Sequence, residues 1–203
     1  MPYLYKTAIQ ANREGIPTMR SMVLEFTEDR TCHYADRQYM LGDNLLVAPI
    51  FNEDSMADYY LPAGKWTDFF TGEVKEGGRW IQEKHGYLSV PLLVKENSIV
   101  ALGAHDDKPD YDYGDGVELR VYELKDGVAA STVVYGMDES EEVKVSAVRN
   151  GNTITVDVVS DKAYSVRLVN VSATGLEGTE AVVDGNDTIL TNVSGHMVCA
   201  VNA

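Results

Sequence analysis

Two spacings of apolar residues divide this chain. Near its start Leu4, Ala8 and Ala11 recur at helical intervals, and Tyr5 and Ile9 widen the apolar face. Pro2 suits a first helical position and Gly15 can take the left-handed conformation that ends a helix, so the spacing predicts a helix over 2–14. So short a helix is marginal alone and needs a partner to pack on. The next run, TMRSMVLEF at 18–26, carries apolar residues on both faces and reads as a buried strand. LLVAPI at 45–50 is a second apolar run, set off by the turn residues Gly42, Asp43 and Asn44.

Helical periodicity stops near residue 50. Short strands are predicted at 57–61, 66–70, 79–83, 87–94 and 98–102, with turns at Pro62–Lys65, Thr71-Gly72 and Gly77-Gly78. Such spacing leaves no room for crossover helices and favours antiparallel pairing. Pro91, inside a strand-like run, marks an edge or a bulge. GAHDDKPDYDYGDG at 103–116 mixes charge, glycine and proline and reads as a hydrated boundary. Beyond it the alternation is clean: Val117, Leu119 and Val121, then Val143, Val145 and Ala147, then Ile154, Val156 and Val158, then Tyr164, Val166 and Leu168. Asn150-Gly151 predicts a hairpin with a type I′ turn. Strands at 180–183, 188–191 and 196–201 would complete a second sandwich. The expected fold is mainly β, with two small antiparallel β-sandwich domains at 51–103 and 104–203, the linker falling at about 104–116.

Composition narrows the chemistry. With 203 residues the chain can bury a real core, and 12 Tyr, 2 Trp and 4 Phe exclude a disordered tail. A formal charge of −15 repels phosphate backbones, so no nucleic-acid partner is expected. Cys32 and Cys199 sit at opposite ends without a CxxC pair, which argues against a zinc site or a disulfide scaffold. His33, His85, His105 and His196 are scattered, and Asp106, Asp107, Asp110, Asp112 and Asp115 miss the EF-hand template, so neither metal nor cofactor is expected. No apolar run reaches the ~20 residues of a membrane span, and no export signal opens at Met1. The expected location is cytoplasmic, which makes the N-x-Ser/Thr triplets at Asn170, Asn186 and Asn192 chance matches.

Three motifs carry a family resemblance: PTMRSMVLEF at 17–26, YADRQYMLGDNLLVAPIF at 34–51 and YLPAGKWTDFFTG at 60–72, with HGYLSVP at 85–91 in support. They resemble the C-terminal part of glycoside hydrolase family 31 enzymes, and the bacterial α-xylosidase branch above all. The resemblance implies retaining cleavage of terminal α-linked xylose or glucose by a parent with a catalytic β/α barrel, followed by a proximal and a distal β-sandwich. On that template residues 1–50 are a helix-strand remnant of a (β/α)8 barrel, and the catalytic aspartates lie upstream of this chain. A retaining pair needs two carboxylates about 5–5.5 Å apart. No Trp-x-Asp-x-x-Glu-like segment occurs, so this segment is expected to be inactive alone.

The resemblance also assigns roles. Glu25, near the end of the presumed last barrel strand, is a candidate for the pocket rim, against a plainer salt bridge with Arg20 or Arg37. Arg20, Asp36, Arg37, Tyr39, Gly42, Asp43 and Asn44 form a structural signature expected to brace the barrel end, Arg37 through a bidentate carboxylate pair. Trp66 and Trp80 are sugar-stacking candidates, although core packing is the simpler reading for aromatics on strands. Expected partners are α-xylosides or α-glucosides for the intact parent, its upstream barrel, and a second copy in a homo-oligomer. A stand-alone carbohydrate-binding module is the alternative. Residues 1–50 should expose apolar surface if their barrel is absent.

Overall fold

The computed structural model describes residues 1–176, 178–191 and 195–202; the triplet at Asn192 lies outside them. The chain divides into two compact units, Gln10–Glu96 and Met1–Ile9 with Asn97–Ala203. Helix α1 (Pro2–Glu14) has the predicted bounds. Its buried face differs, however: Pro2, Tyr3, Thr7 and Ile9 are buried, whereas Leu4 and Ala8 are exposed. The Tyr3–Thr7 stripe, one turn apart, wins over the more apolar Leu4–Ala8 stripe because the Thr7 hydroxyl satisfies itself on the Leu4 carbonyl at 2.8 Å.

The 10–96 unit contains β1 (Met19–Ser21), helix α2 (Met22–Glu25), a 3-10 turn (Arg30–His33), β2 (Tyr39–Leu41), β3 (Leu45–Val47), β4 (Met56–Leu61), β5 (Lys65–Asp68), β6 (Val74–Glu76), β7 (Arg79–Lys84) and β8 (Leu92–Lys95). A six-stranded sheet runs β1-β2-β3-β8-β5-β6, every pair antiparallel, and β4 pairs with β7 in a second sheet. The single strand expected over 18–26 is corrected here. Its second half turns into α2, because Met22 alone reaches the core while Val23 and Leu24 face outward, and the Phe26 N–H closes onto the Met22 carbonyl at 2.9 Å. Nor do residues 19–47 look like a barrel end. Barrel strands are parallel, whereas β1, β2 and β3 form an antiparallel meander continuous with the rest of the sheet.

Local side-chain chemistry sets the strand ends. The Asp68 carboxylate accepts from the Phe70 and Thr71 amides at 3.0 and 2.8 Å, which stops β5 short of the predicted residue 70. The 87–94 run is strand only from Leu92, since residues 86–89 form a turn and Pro91 offers its carbonyl to the Ala48 N–H. Strand β6 was not expected at all: its inward residue is Lys75 and its flanking Val74 and Glu76 face out, the reverse of the usual alternation. The core of this unit gathers Met22, Met40, Leu46, Tyr59, Leu61, Trp66 and Leu93.

The other unit contains β9 (Ser98–Leu102), β10 (Val117–Tyr122), β11 (Ala130–Tyr135), β12 (Glu141–Asn150), β13 (Thr153–Ser160), β14 (Tyr164–Leu168), β15 (Ala173–Gly175), β16 (Glu180–Asp184), β17 (Asp187–Thr191) and β18 (His196–Val201). Two five-stranded sheets, β16-β17-β14-β10-β9 and β11-β12-β13-β18-β15, enclose one apolar cluster built from Leu119, Val145, Val156, Val166 and their neighbours. Strand β10 pairs parallel with β14, a departure from the all-antiparallel expectation. Strand β9, expected to end the proximal sandwich, pairs instead with β10, so the longer segment of this compact unit starts at Asn97.

The 103–116 stretch is exposed over residues 104–110, as expected from its charge, but its second half is not a solvated linker. Tyr111 and Tyr113 enter the core, because the Asp-Tyr-Asp-Tyr alternation sends both rings inward and both carboxylates out. Asp112 then reaches Lys162 at 2.6 Å. The β12–β13 hairpin is where Asn150-Gly151 placed it, but Asn150 pairs with Thr153 and Gly151 opens the loop with φ +57°. Asn152 has no positive φ, so glycine occupies the first central position as in a II′ turn. No helix of the described residues is long and apolar enough to cross a membrane.

Candidate functional site

Part of the family signature meets at one buried cation. Arg20, 3% exposed on β1, donates from Nη1 to Glu25 at 2.8 Å and to Asp43 at 2.7 Å, from Nη2 to the Gln10 side chain at 2.8 Å and from Nε to the Pro17 carbonyl at 3.0 Å. Burial works against its charge, but the bonds to Glu25 and Asp43 outweigh it and hold the guanidinium above its ordinary pKa. Glu25 is thus placed on a structural cation. Gly42 turns the β2–β3 hairpin at φ +62°, and its N–H donates to the Thr18 carbonyl at 2.8 Å, which aims Asp43 back at Arg20. Asn44, nearly buried, offers its carbonyl to the Lys95 N–H. Tyr39 lies half-buried within β2.

Gln38 continues the bracing. Its side-chain amide donates to the Tyr60 carbonyl and accepts from the Tyr60 N–H, both at 2.7 Å, and so caps a stretch of β4 as another strand would. The Tyr60 hydroxyl donates to Asp29 at 2.9 Å, and Asp29 also accepts from the Thr31 N–H that opens the 3-10 turn. Trp66 is corrected as a stacking candidate. It is 1% exposed, with its indole N–H on the Pro62 carbonyl at 2.9 Å, so no ring face is free for a sugar.

A second polar cluster escaped the sequence reading. Glu83 accepts from Tyr59 at 2.7 Å and from Lys75 at 2.5 Å, and its Oε1 lies 3.0 Å from the ring of His85. It joins β6 of the large sheet to the β4–β7 pair. Burial disfavours the Glu83 charge, yet Lys75, Tyr59 and His85 together pull its pKa below the ordinary carboxylate value. A depressed folded-state pKa adds stability above the unfolded value and loses it as pH falls through the folded one. The acid side of the melting-temperature profile should therefore be shallower in Glu83→Gln than in the parent chain, and Glu83→Gln should melt lower at neutral pH. Calorimetry from neutral pH downward checks this; parallel profiles would contradict it.

Asp36 and Arg37 depart from the bracing pattern. Both are exposed, and the bidentate pair expected of Arg37 is not formed: among the described residues Arg37 makes no ion pair. With Tyr34, Asp58 and Trp80 they line a cleft of about 310 Å³. Trp80 is 55% and Tyr34 84% exposed. No group of three metal-ligating side chains occurs among the described residues. Cys32 and Cys199 are free, buried thiols that burial, the larger cause in each, pushes up to about 11, which disfavours the thiolate at neutral pH.

Among the described residues the sheets are antiparallel apart from the β10–β14 pair, and a buried arginine shared by two carboxylates ties the first strand of the six-stranded sheet to the β2–β3 turn. Comparison with known proteins gives the chain's family. The model of the Glycosyl hydrolase family 31 C-terminal domain matches residues 15–100, and that of the Alpha-xylosidase YicI, C-terminal domain matches 112–201. The chain belongs to glycoside hydrolase family 31, to its C-terminal domains. The first match starts at residue 15, so most of the 1–50 stretch falls within the C-terminal domain. Alpha-xylosidase XylQ of Lactiplantibacillus pentosus is 38% identical over 174 residues, which are 82% of this chain and 23% of that protein. The chain thus spans under a quarter of that relative. Among solved structures, the GH31 α-xylosidase of Xanthomonas citri superposes with TM-score 0.67 at 26% identity, over 83% of this chain and 20% of that one. The GH31 dextranase of Flavobacterium johnsoniae gives 0.79 at 21% identity over 100% of this chain and 31% of that one, a likeness of fold.

Proposed function

We propose that this chain is the non-catalytic C-terminal segment of a retaining α-xylosidase or closely related α-glucosidase, its β units bracing a catalytic barrel that precedes them. The observation that carries this reading is the use of the signature: its Arg20, Gly42, Asp43 and Asn44, with Gln38 beside them, are committed to internal bonds, and Glu25 and Asp43 share one guanidinium. Two carboxylates bound to one cation are poor candidates for a nucleophile and a separate proton donor. Exposed apolar residues in the first fifty support a covering partner: Leu4 on α1, Met19 on β1, and Val23 and Leu24 on α2. Xylose is preferred over glucose because XylQ and the Xanthomonas citri enzyme are named α-xylosidases. Hydrolysis of an aryl α-xyloside, compared between this chain and a longer protein in which a family 31 barrel precedes it, tests the reading. Activity is expected only in the longer protein.

A further inference from the structure

The Trp80 cleft has a different character from the rest of its unit. Strands β4 and β7 place Tyr60 directly opposite Trp80 and Asp58 opposite Gln82, so Asp58, Tyr60, Trp80 and Gln82 share one face of the pair. Tyr60 is 8% exposed and tied to Asp29, and the Trp80 ring rests against it at 5.7 Å between centroids with a 54° tilt. One side of the indole is therefore fixed while more than half of the residue remains open to solvent. A single exposed aromatic is ordinary on a protein surface, but Trp80 and Tyr34 border one and the same cleft. Around Trp80 stand Arg37, Asp36 and Asp58, all exposed, and the exposed ring of Tyr34.

We infer that this cleft is a binding site for a neutral saccharide. An indole steadied on one side by the tilted Tyr60 ring offers electron density to the partly positive C–H edge of a pyranose ring. A guanidinium fork and two carboxylates supply donors and acceptors matched to neighbouring hydroxyls. Charge selects the class: two carboxylates against one guanidinium, on a chain of net −15, disfavour uronic or sulfated sugars. The cleft volume of about 310 Å³ is at the low end for ligand sites, which suits one or two sugar rings with the remainder in solvent. The anchored Tyr60 preorganises the platform, so little ordering cost falls on binding. This inference rests on the 10–96 unit alone and not on the assignment to an α-xylosidase.

Titration of the whole chain with methyl α-xyloside and with maltotriose, followed by amide chemical shifts, tests it. Saturable shifts confined to residues near 34–38, 58 and 80 are expected, with a dissociation constant in the millimolar range. Trp80→Ala and Arg37→Ala should each weaken binding by about fivefold or more, whereas Phe70→Ala, removing another exposed aromatic, should not. Glucuronic acid should give no saturable shift. Both variants alter exposed side chains, so a folded amide spectrum is expected and serves as the control. Absence of saturable shifts, shifts mapping elsewhere, or binding indifferent to Trp80→Ala would overturn the site. None of these outcomes bears on whether a longer protein hydrolyses α-xylosides.

Discussion

Trp66→Ala is expected to destabilise the 10–96 unit by about 3–5 kcal/mol, the range for emptying a buried aromatic site. The residue is 1% exposed, packs on Phe26 with ring centroids 6.1 Å apart, and holds the Pro62 carbonyl through its indole N–H. Alanine leaves a cavity in the centre of the cluster and an acceptor without its donor. Domains are stable by only about 5–15 kcal/mol, so a melting-temperature drop on the order of 15 °C follows for a unit of this size. Trp80→Ala makes the contrast: an exposed ring should cost no more than about 1 kcal/mol. Differential scanning calorimetry of both variants separates the roles of the two tryptophans. Equal shifts would contradict the packing described above.

Arg20→Ala should cost about 3 kcal/mol, at the lower end for breaking a buried charge network because Glu25 and Asp43 retain some solvent. Alanine removes donors to four acceptors at once, on Gln10, Pro17, Glu25 and Asp43. Arg20→Lys should recover only a minor part, since a single ammonium cannot span the fork that reaches them. Urea denaturation measures both, and Arg20→Ala combined with Asp43→Asn should show strong non-additivity. A loss below about 1 kcal/mol would mean that the signature is not a stability device.

Punctuation and alternation made part of this fold legible. Pro2 and Gly15 bound α1 correctly, and the strands from Val117 to Leu168 followed their period-2 pattern because one face of each is buried in a single core. Sequence failed where polarity was inverted or period was absent. MVLE carries no spacing that separates a helical turn from a strand; the burial of Met22 alone and the pull of Arg20 on Glu25 accompany the coil there. Lys75 faces inward because Glu83 waits for it across another strand pair, a partnership eight residues away that no local pattern reveals. Asp58 and Tyr34 were likewise invisible as cleft residues, since the β4–β7 register sets Asp58 on the face of Trp80 and Tyr34 reaches the cleft from just after the 3-10 turn. The motifs named the family. They offered the Glu25–Arg20 salt bridge that forms, but not that Asp43 shares the same guanidinium, nor that Asp36 and Arg37 stand apart from it.

The most direct measurement is steady-state hydrolysis of an aryl α-xyloside by the purified 203-residue chain, beside a longer family 31 protein that contains it. Release by this chain at the buffer rate, with turnover in the longer protein, is the expected result. Turnover that copurifies with these residues alone would contradict their assignment as a bracing segment.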